Sequence, residues 1–127
     1  MAVASPNTVL IVEDEVAVRE LLAQFLRDEG FDVEEAQDGL EAIDALNRHR
    51  PPPVKLCVVL LDMMLPHADG VQVLNHLNAL SSYVPVVAMS ASRERLVDAS
   101  GAGAQATIAK PFDLDQMLAV VTSSSLR

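Results

Sequence analysis

Two patterns of apolar and polar residues alternate along the chain. Short, continuous apolar runs rich in β-branched residues are typical of strands that are buried on both faces. Between these runs, apolar residues recur every three to four positions, which is the spacing of an amphipathic helix. We predict strands at residues 9–12, 31–36, 56–61, 84–89 and 106–109. We predict helices at residues 16–29, 38–48, 70–80, 93–100 and 113–122.

Residues that begin or end helices support this division. Gly30 stands where the first helix should end, because glycine readily adopts the left-handed conformation found at helix C-termini. An aspartate that can cap the first turn precedes three of the predicted helices, at Asp38, Asp69 and Asp113. Three consecutive prolines at residues 51–53 exclude a helix or a central strand there. Five alternations of strand and helix predict an α/β fold, in which a doubly wound parallel sheet carries helices on both faces.

Composition narrows the class of protein. A chain of 127 residues, of which 50% are hydrophobic, has the size of one domain and enough apolar material for a core. The single cysteine, Cys57, excludes an internal disulfide bond. The net charge of -9 argues against direct binding to nucleic acid and disfavours anionic membrane surfaces. The sequence has no apolar run of roughly 18 residues that could span a bilayer and no signal-peptide pattern at its start, so we expect a cytoplasmic protein.

Acids, a hydroxyl and a lysine follow four of the predicted strands. Glu13 and Asp14 follow the first strand, Asp62 follows the third, Ser90 the fourth and Lys110 the fifth. Ligands of doubly wound sheets bind outside the carboxyl ends of the strands, so these side chains should meet at one rim. Each residue alone has an ordinary structural explanation as a helix cap or a surface charge. Their joint occurrence at one rim indicates a functional site.

Three carboxylates at one rim need a cation, or else the pKa values of some of them must rise. Two unit charges about 4 Å apart repel each other by about 4 kcal/mol at an effective dielectric constant of roughly 20. Mg²⁺ suits such a site because it binds a few carboxylates and keeps several waters. A divalent cation beside a carboxylate, a lysine and a hydroxyl is the equipment of phosphoryl transfer. A carboxylate can itself be the nucleophile and become an aspartyl phosphate.

Four segments of the chain resemble the motifs of response regulator receiver domains, the phosphoacceptor modules of two-component signal transduction. The resemblance extends over residues 8–122, and we expect flexible tails at residues 1–7 and 123–127. It implies a flavodoxin-like sheet of five parallel strands in the order 2-1-3-4-5, with five helices. The four segments are VLIVEDE at 9–15, VVLLDMMLPHADG at 58–70, VVAMSA at 86–91 and AKPF at 109–112.

The resemblance implies that the acidic residues form a magnesium site around the phosphoacceptor. Asp62 would accept the phosphoryl group. Asp14 and Asp62 would bind Mg²⁺ directly, and Glu13 would assist through a water molecule. The backbone carbonyl of Met64 would be a further ligand.

The resemblance also implies that the other rim residues bind the phosphoryl group. The Ser90 hydroxyl and the backbone N–H of Ala91 would donate hydrogen bonds to it, and Lys110 would pair with one of its oxygens. The bond between Lys110 and Pro111 should be cis, as is common in the family. An X–Pro bond allows this isomer at low energetic cost.

Function and partners are implied by the same resemblance. We expect a signalling phosphoacceptor that catalyses only its own phosphorylation and dephosphorylation, and not an enzyme with other substrates. The phosphodonor would be a phosphohistidine on a sensor histidine kinase or on a histidine phosphotransfer protein. A downstream protein or an output domain would read the resulting conformational change, and phosphorylation-dependent dimerisation is one form that this output can take.

Three features depart from the family pattern. Thr107 stands where relatives usually carry Tyr or Phe, the segment between Ser90 and Lys110 is slightly short, and residues 51–53 resemble a small insertion. Ser90 and Thr107 would be the switch positions. Because threonine is far smaller than an aromatic ring, we expect the response to come from the loop after Ser90 and from the fourth helix.

Three other functions are alternatives. A phosphohydrolase of the haloacid-dehalogenase type also uses an aspartate at a strand end, but it needs an acid two residues later, where this chain has Met64. A flavin carrier with this sheet needs a hydroxyl- and glycine-rich phosphate loop after the first strand, and the acids at residues 13–15 would repel a phosphate. A receiver that has lost phosphorylation and only binds proteins is disfavoured, because every chemical position is filled.

Overall fold

Strands and helices alternate five times in the computed structural model, which describes residues 7–48, 56–65, 67–79 and 84–125. The strands are β1 (Thr8–Val12), β2 (Asp32–Ala36), β3 (Val58–Asp62), β4 (Val86–Ser90) and β5 (Ala106–Ala109). The helices are α1 (Val16–Asp28), α2 (Gly39–Arg48), α3 (Gly70–Ala79), α4 (Arg93–Gly101) and α5 (Leu114–Ser124). None of the described helices combines the length and the apolar character needed to cross a bilayer.

The five strands form one parallel sheet in the order β2-β1-β3-β4-β5, which confirms the predicted fold. Every residue of the central strands β3 and β4 is buried. Successive side chains of a strand point to opposite faces, so Val59 and Leu61 join the core on the side of α2 and α3, while Val58 and Leu60 join the core beside α1 and α5. A strand covered on both faces has no polar face, which explains the continuous apolar runs in the sequence.

The boundaries of three elements differ from the prediction by more than one residue, because backbone hydrogen bonds decide where an element ends. β3 and β4 each begin two residues later and end one residue later than expected, at Asp62 and Ser90. The sheet ladder continues one residue past β3, since the amide of Met63 donates to the carbonyl of Met89 over 2.9 Å. Ser90 belongs to the ladder because its carbonyl accepts a hydrogen bond from the amide of Lys110 over 2.9 Å. α5 reaches Ser124, so the first two residues of the expected tail are helical. The prolines at 51–53 and the predicted end of the third helix at residue 80 lie outside the described residues.

The predicted capping residues agree with the structure. Gly30 follows α1 with a φ of 97°, a value that favours glycine. The carboxylates of the three predicted aspartate caps accept hydrogen bonds from backbone amides, over 2.8 Å at Asp38, 3.1 Å at Asp69 and 2.7 Å at Asp113. The cap of α4 was not predicted. It is Ser92, whose hydroxyl accepts a hydrogen bond from the amide of Arg95 over 3.3 Å.

The loop between β3 and α3 packs directly against the start of α2. A Cβ atom added at Gly39 would overlap the carbonyl oxygen of Ala68. Nearby, Nδ1 of His67 lies 3.1 Å from Oδ2 of Asp38, and His67 has a positive φ of 70°. The hydrogen bond from the amide of Glu41 and the contact with His67 lower the pKa of Asp38. The backbones at Gly39 and Ala68 are thus so close that a residue with a side chain would not fit at position 39.

Gly39→Ala should therefore destabilise the fold by about 1–3 kcal/mol, because the loop must move to admit the methyl group. Urea denaturation of the variant and the wild type measures the difference. Gly101→Ala is the matched control, since a Cβ at Gly101 meets nothing within 4 Å, and alanine in a helix should be neutral or stabilising by up to about 1 kcal/mol. Equal effects of the two substitutions would contradict close packing at Gly39.

Candidate functional site

The predicted site residues meet at the carboxyl ends of the strands. Asp62 is the last residue of β3 and Ser90 is the last residue of β4, while Glu13 and Lys110 directly follow β1 and β5. One carboxylate oxygen from each of Glu13, Asp14 and Asp62 lies within 4.8 Å of those of the other two. The parallel register of the sheet therefore brings together groups that are up to 97 residues apart in the chain.

Lys110 binds two of the three acids. Its Nζ donates a hydrogen bond to Oε1 of Glu13 over 2.8 Å and another to Oδ2 of Asp62 over 3.2 Å. Both carboxylates are buried, and about a quarter of the lysine side chain is exposed. Burial lowers the pKa of Lys110, but the hydrogen bond to Glu13 and the charges of Asp62 and Glu13 raise it more, so the net shift is upward. The ammonium group is thus held in its charged form beside the acids.

The carboxylate of Asp62 is fixed at both oxygens. Oδ1 accepts a hydrogen bond from the backbone amide of Met64 over 2.9 Å, and Oδ2 accepts the one from Lys110. The residue is 4% exposed, at the end of a strand whose other residues are fully buried. The side chain of Met64 is about half exposed beside it. Asp62 is therefore an oriented anion at the mouth of the site, which is what a carboxylate nucleophile requires.

Glu13 is held at four atoms. Its amide donates to the carbonyl of Ala36 over 3.1 Å, and its carbonyl accepts from Nη1 of Arg19 over 2.9 Å. Oε2 accepts from the amide of Glu15 over 3.2 Å, and Oε1 accepts from Lys110. These contacts hold Glu13 in one conformation, so its carboxylate has a fixed position in the site.

Asp14 differs from the other two acids because it is exposed. Its carboxylate contributes to the cluster from the solvent side. The oxygen donors of Glu13 and Asp62 are buried, whereas Asp14 is open to solvent. This arrangement suits Mg²⁺, which usually retains several waters. The chemistry and spacing of the three carboxylates therefore fit the predicted ion, and the additional ligand expected from the carbonyl of Met64 stays a prediction.

Ser90 lies at the rim as predicted, whereas Thr107 lies apart from it. Ser90 is buried, and its hydroxyl accepts a hydrogen bond from the amide of Ser92 over 3.0 Å. Ala91 between them is exposed. Thr107 pairs with Ala88 in the sheet and is exposed on the edge strand β5. The roles of these residues as phosphoryl ligands and switch positions stay predictions.

The structure also shows a cis bond between Lys110 and Pro111, as expected. Two further residues that contact the site region were not predicted, Arg19 and Ser92. Arg19 carried a recognisable signal, because it precedes the buried Leu22 and Leu26 at helical spacing and so falls on the inner face of α1. Ser92 carried only the weak signal of a serine before a helix.

Comparisons with known proteins agree with this geometry. The family model of the response regulator receiver domain matches residues 9–122. The response regulator MprA of Mycobacterium sp. (strain KMS) is 38% identical over 116 residues, which are 90% of this chain and 48% of MprA. The chain thus spans about half the length of that relative. Sporulation initiation phosphotransferase F of Bacillus subtilis is 33% identical over 111 residues, with 86% of each chain covered.

Solved structures give the same result. A chain in the crystal structure of the CheX–CheY–BeF3–Mg²⁺ complex from Borrelia burgdorferi is 32% identical, with a TM-score of 0.81. The match covers 91% of the present chain and 87% of that chain. The chain therefore belongs to the response regulator receiver domain family, whose known role in two-component phosphorelays is to accept a phosphoryl group.

Lys110→Met should destabilise the protein by about 2 kcal/mol in the absence of Mg²⁺, because two buried carboxylates lose the cation that they share. Added Mg²⁺ should reduce the loss, since it supplies positive charge to the same acids. Urea denaturation in EDTA and in Mg²⁺ measures both effects.

Arg48→Met is the matched control. Arg48 forms ion pairs with Glu34 and Asp44, but its side chain is 60% exposed. Its loss should cost less than about 1 kcal/mol and should not depend on Mg²⁺. If Lys110→Met costs no more than Arg48→Met in EDTA, the proposed importance of the shared cation is wrong.

Proposed function

We propose that this receiver domain accepts a phosphoryl group on Asp62 from a phosphohistidine of a sensor histidine kinase or a histidine phosphotransfer protein. The observation that carries the proposal is the position of the Asp62 carboxylate. It lies at the end of a buried strand, between the ammonium group of Lys110 and the amide of Met64, next to the acids Glu13 and Asp14.

Asp62 acts as the nucleophile. An oxygen of its carboxylate forms the new bond to phosphorus, the bond between phosphorus and the donor's histidine nitrogen breaks, and the electron pair stays on that nitrogen. Lys110 already lies 3.2 Å from the carboxylate, so it can pair with a phosphoryl oxygen after only a small movement. Ser90 and the amide of Ala91 would donate hydrogen bonds to the other oxygens.

Mg²⁺, when bound, offsets the negative charge that the acids and the phosphoryl oxygens bring together. Asp14 and Asp62 would hold it directly, Glu13 through water, and Met64 through its carbonyl oxygen. The supporting observation is that oxygens of the three carboxylates lie within 4.8 Å of one another. The residues themselves orient the reacting groups and supply the nucleophile.

We extend the proposal to partners and location. The chain is a signalling phosphoacceptor that promotes its own phosphorylation and dephosphorylation, located in the cytoplasm. Its partner on the output side is a downstream protein or an output domain. The relative MprA supports this, because the chain matches 48% of it and the rest of MprA lies outside the matched region. The net charge of -9 supports an output without direct contact to nucleic acid or membrane, while phosphorylation-dependent dimerisation is a further form of output.

Asp62→Asn should abolish phosphorylation, because the amide keeps the shape of the side chain but not its nucleophilic anion. The measurement is the intact mass of the protein after incubation with acetyl phosphate and Mg²⁺. EDTA should abolish uptake by the wild type.

Asp69→Asn is a control with the same chemical change in the same loop. Asp69 caps α3, and asparagine caps helices about as well as aspartate, so this variant should be phosphorylated normally. Uptake by Asp62→Asn at the wild-type rate would show that the phosphoacceptor has been assigned incorrectly.

The output proceeds through the β4–α4 loop. The Ser90 hydroxyl now accepts the amide hydrogen of Ser92, and Ser92 caps α4. When the hydroxyl turns towards a phosphoryl oxygen, the amide of Ser92 loses its partner, and the start of α4 is less firmly held. Arg93 and Arg95 in the first turn oppose the helix dipole and Glu94 offsets only part of their charge, which makes this end easy to remodel. Thr107 remains passive, because it is too small to fill space as an aromatic ring would.

Beryllofluoride, a phosphoryl mimic, should therefore increase hydrogen exchange in residues 91–103 of the wild type and of Thr107→Ala. Ser90→Ala lacks the hydroxyl, so its exchange at the start of α4 should be raised without the mimic and should change little when it is added. Hydrogen exchange measured by mass spectrometry follows all three proteins. An unchanged 91–103 segment in the activated wild type, or loss of the response in Thr107→Ala, would refute this route.

A further inference from the structure

Arg19 connects three parts of the fold next to the three acids Glu13, Asp14 and Asp62. It lies in the first turns of α1, and only 14% of its side chain is exposed. Its Nη1 donates to the backbone carbonyl of Glu13 over 2.9 Å, in the loop after β1. Its Nε donates to Oε1 of Glu35 in the edge strand β2 over 3.2 Å. One rigid guanidinium group thus connects the helix, the edge strand and the loop that carries two of the three acids.

The contact with Glu13 matters for Asp14 because the two residues share a peptide unit. The carbonyl of Glu13 and the amide nitrogen of Asp14 belong to the same planar peptide unit. By binding this carbonyl, Arg19 fixes the orientation of the peptide plane to which the Cα atom of Asp14 is attached. Asp14 is exposed, and an exposed side chain has little packing of its own to hold it. Partners that orient a metal ligand from behind typically change metal affinity by about 10–100-fold when they are removed.

Arg27 provides an internal comparison. It lies on the same helix and reaches the same carboxylate, with its Nη2 3.6 Å from Oε2 of Glu35. Its hydrogen bond goes to the carbonyl of Val33, within β2, and 47% of its side chain is exposed. Arg19 and Arg27 therefore share the link to the edge strand, but the link to the acidic loop belongs to Arg19.

We propose that Arg19 is a positioning residue for the magnesium site, which it serves by fixing the peptide unit between Glu13 and Asp14. The proposal rests on the proposed function. Charge alone does not suffice for this role, because the two acceptors lie in different elements and need the fixed fork of a guanidinium. A lysine at this position has a single nitrogen on a flexible stem and should hold one of them at a time.

The test measures Mg²⁺ affinity separately from stability and from the rate of chemistry. The rate of phosphorylation by acetyl phosphate is followed as a function of Mg²⁺ concentration, which gives an apparent Mg²⁺ constant and a rate at saturation. The melting temperature in EDTA reports the stability of each variant without the ion. Wild type, Arg19→Gln, Arg19→Lys and Arg27→Gln are compared, with Asp14→Ala as the reference for a lost ligand.

Arg19→Gln should raise the apparent Mg²⁺ constant about tenfold, the lower end of the range for orienting partners, while the rate at saturating Mg²⁺ stays near that of the wild type. Arg19→Lys should give an intermediate constant. Arg27→Gln should stay within about twofold of the wild type even if its melting temperature falls. Should Arg19→Gln fail to fold, a raised constant in Arg19→Lys supports the proposal and an unchanged one refutes it.

Two results overturn the inference alone: a wild-type Mg²⁺ constant in Arg19→Gln, whatever its melting temperature, or an equal increase in Arg27→Gln. Phosphorylation of the wild type that does not depend on Mg²⁺ would overturn the proposed function, and the inference with it. The two failures are distinguishable because the second is seen in the wild type.

Discussion

Two buried carboxylates, Glu13 and Asp62, share the ammonium group of Lys110, and the arrangement of the sheet is what makes this contact possible. β5 is separated from β3 by β4, so the lysine has to pass the end of β4 to reach either acid. The residue there is Ser90, whose carbonyl accepts a hydrogen bond from the amide of Lys110 over 2.9 Å. The charge balance of the site thus depends on the strand order and on the register that places Lys110 beside the end of β4.

The charges that this site needs for its chemistry reduce the stability of the fold. Three acids at one rim repel one another, and a single lysine offsets only part of their charge. A structure with fewer acids would be more stable, but it could not gather a divalent cation and a phosphoryl group at the same place. The apolar burial of β3 and β4 on both faces offsets this local cost.

Much of the fold and of the site could be predicted from the sequence. Strands such as β3 are readable because burial on both faces demands a continuous apolar run, and the acids stand out because they interrupt that pattern where a strand ends. The exact ends of β3 and β4 could not be predicted, since hydrogen bonds between distant segments decide them. The helical spacing could have placed Arg19 on the inner face of α1, but it could not name the partners of Arg19, because Glu13 and Glu35 are adjacent to it only after folding.

The contact between Gly39 and Ala68 constrains how the chain can vary in length. The start of α2 and the loop that follows β3 touch backbone to backbone, so an extra residue in that loop, or between β2 and α2, would displace the other segment. The loop after β3 also carries Met64, whose amide orients Asp62. Insertions at this end of the sheet should therefore be rejected even where they avoid every acidic residue, and the spacing between Asp62 and Gly70 is as much a property of the site as the residues themselves.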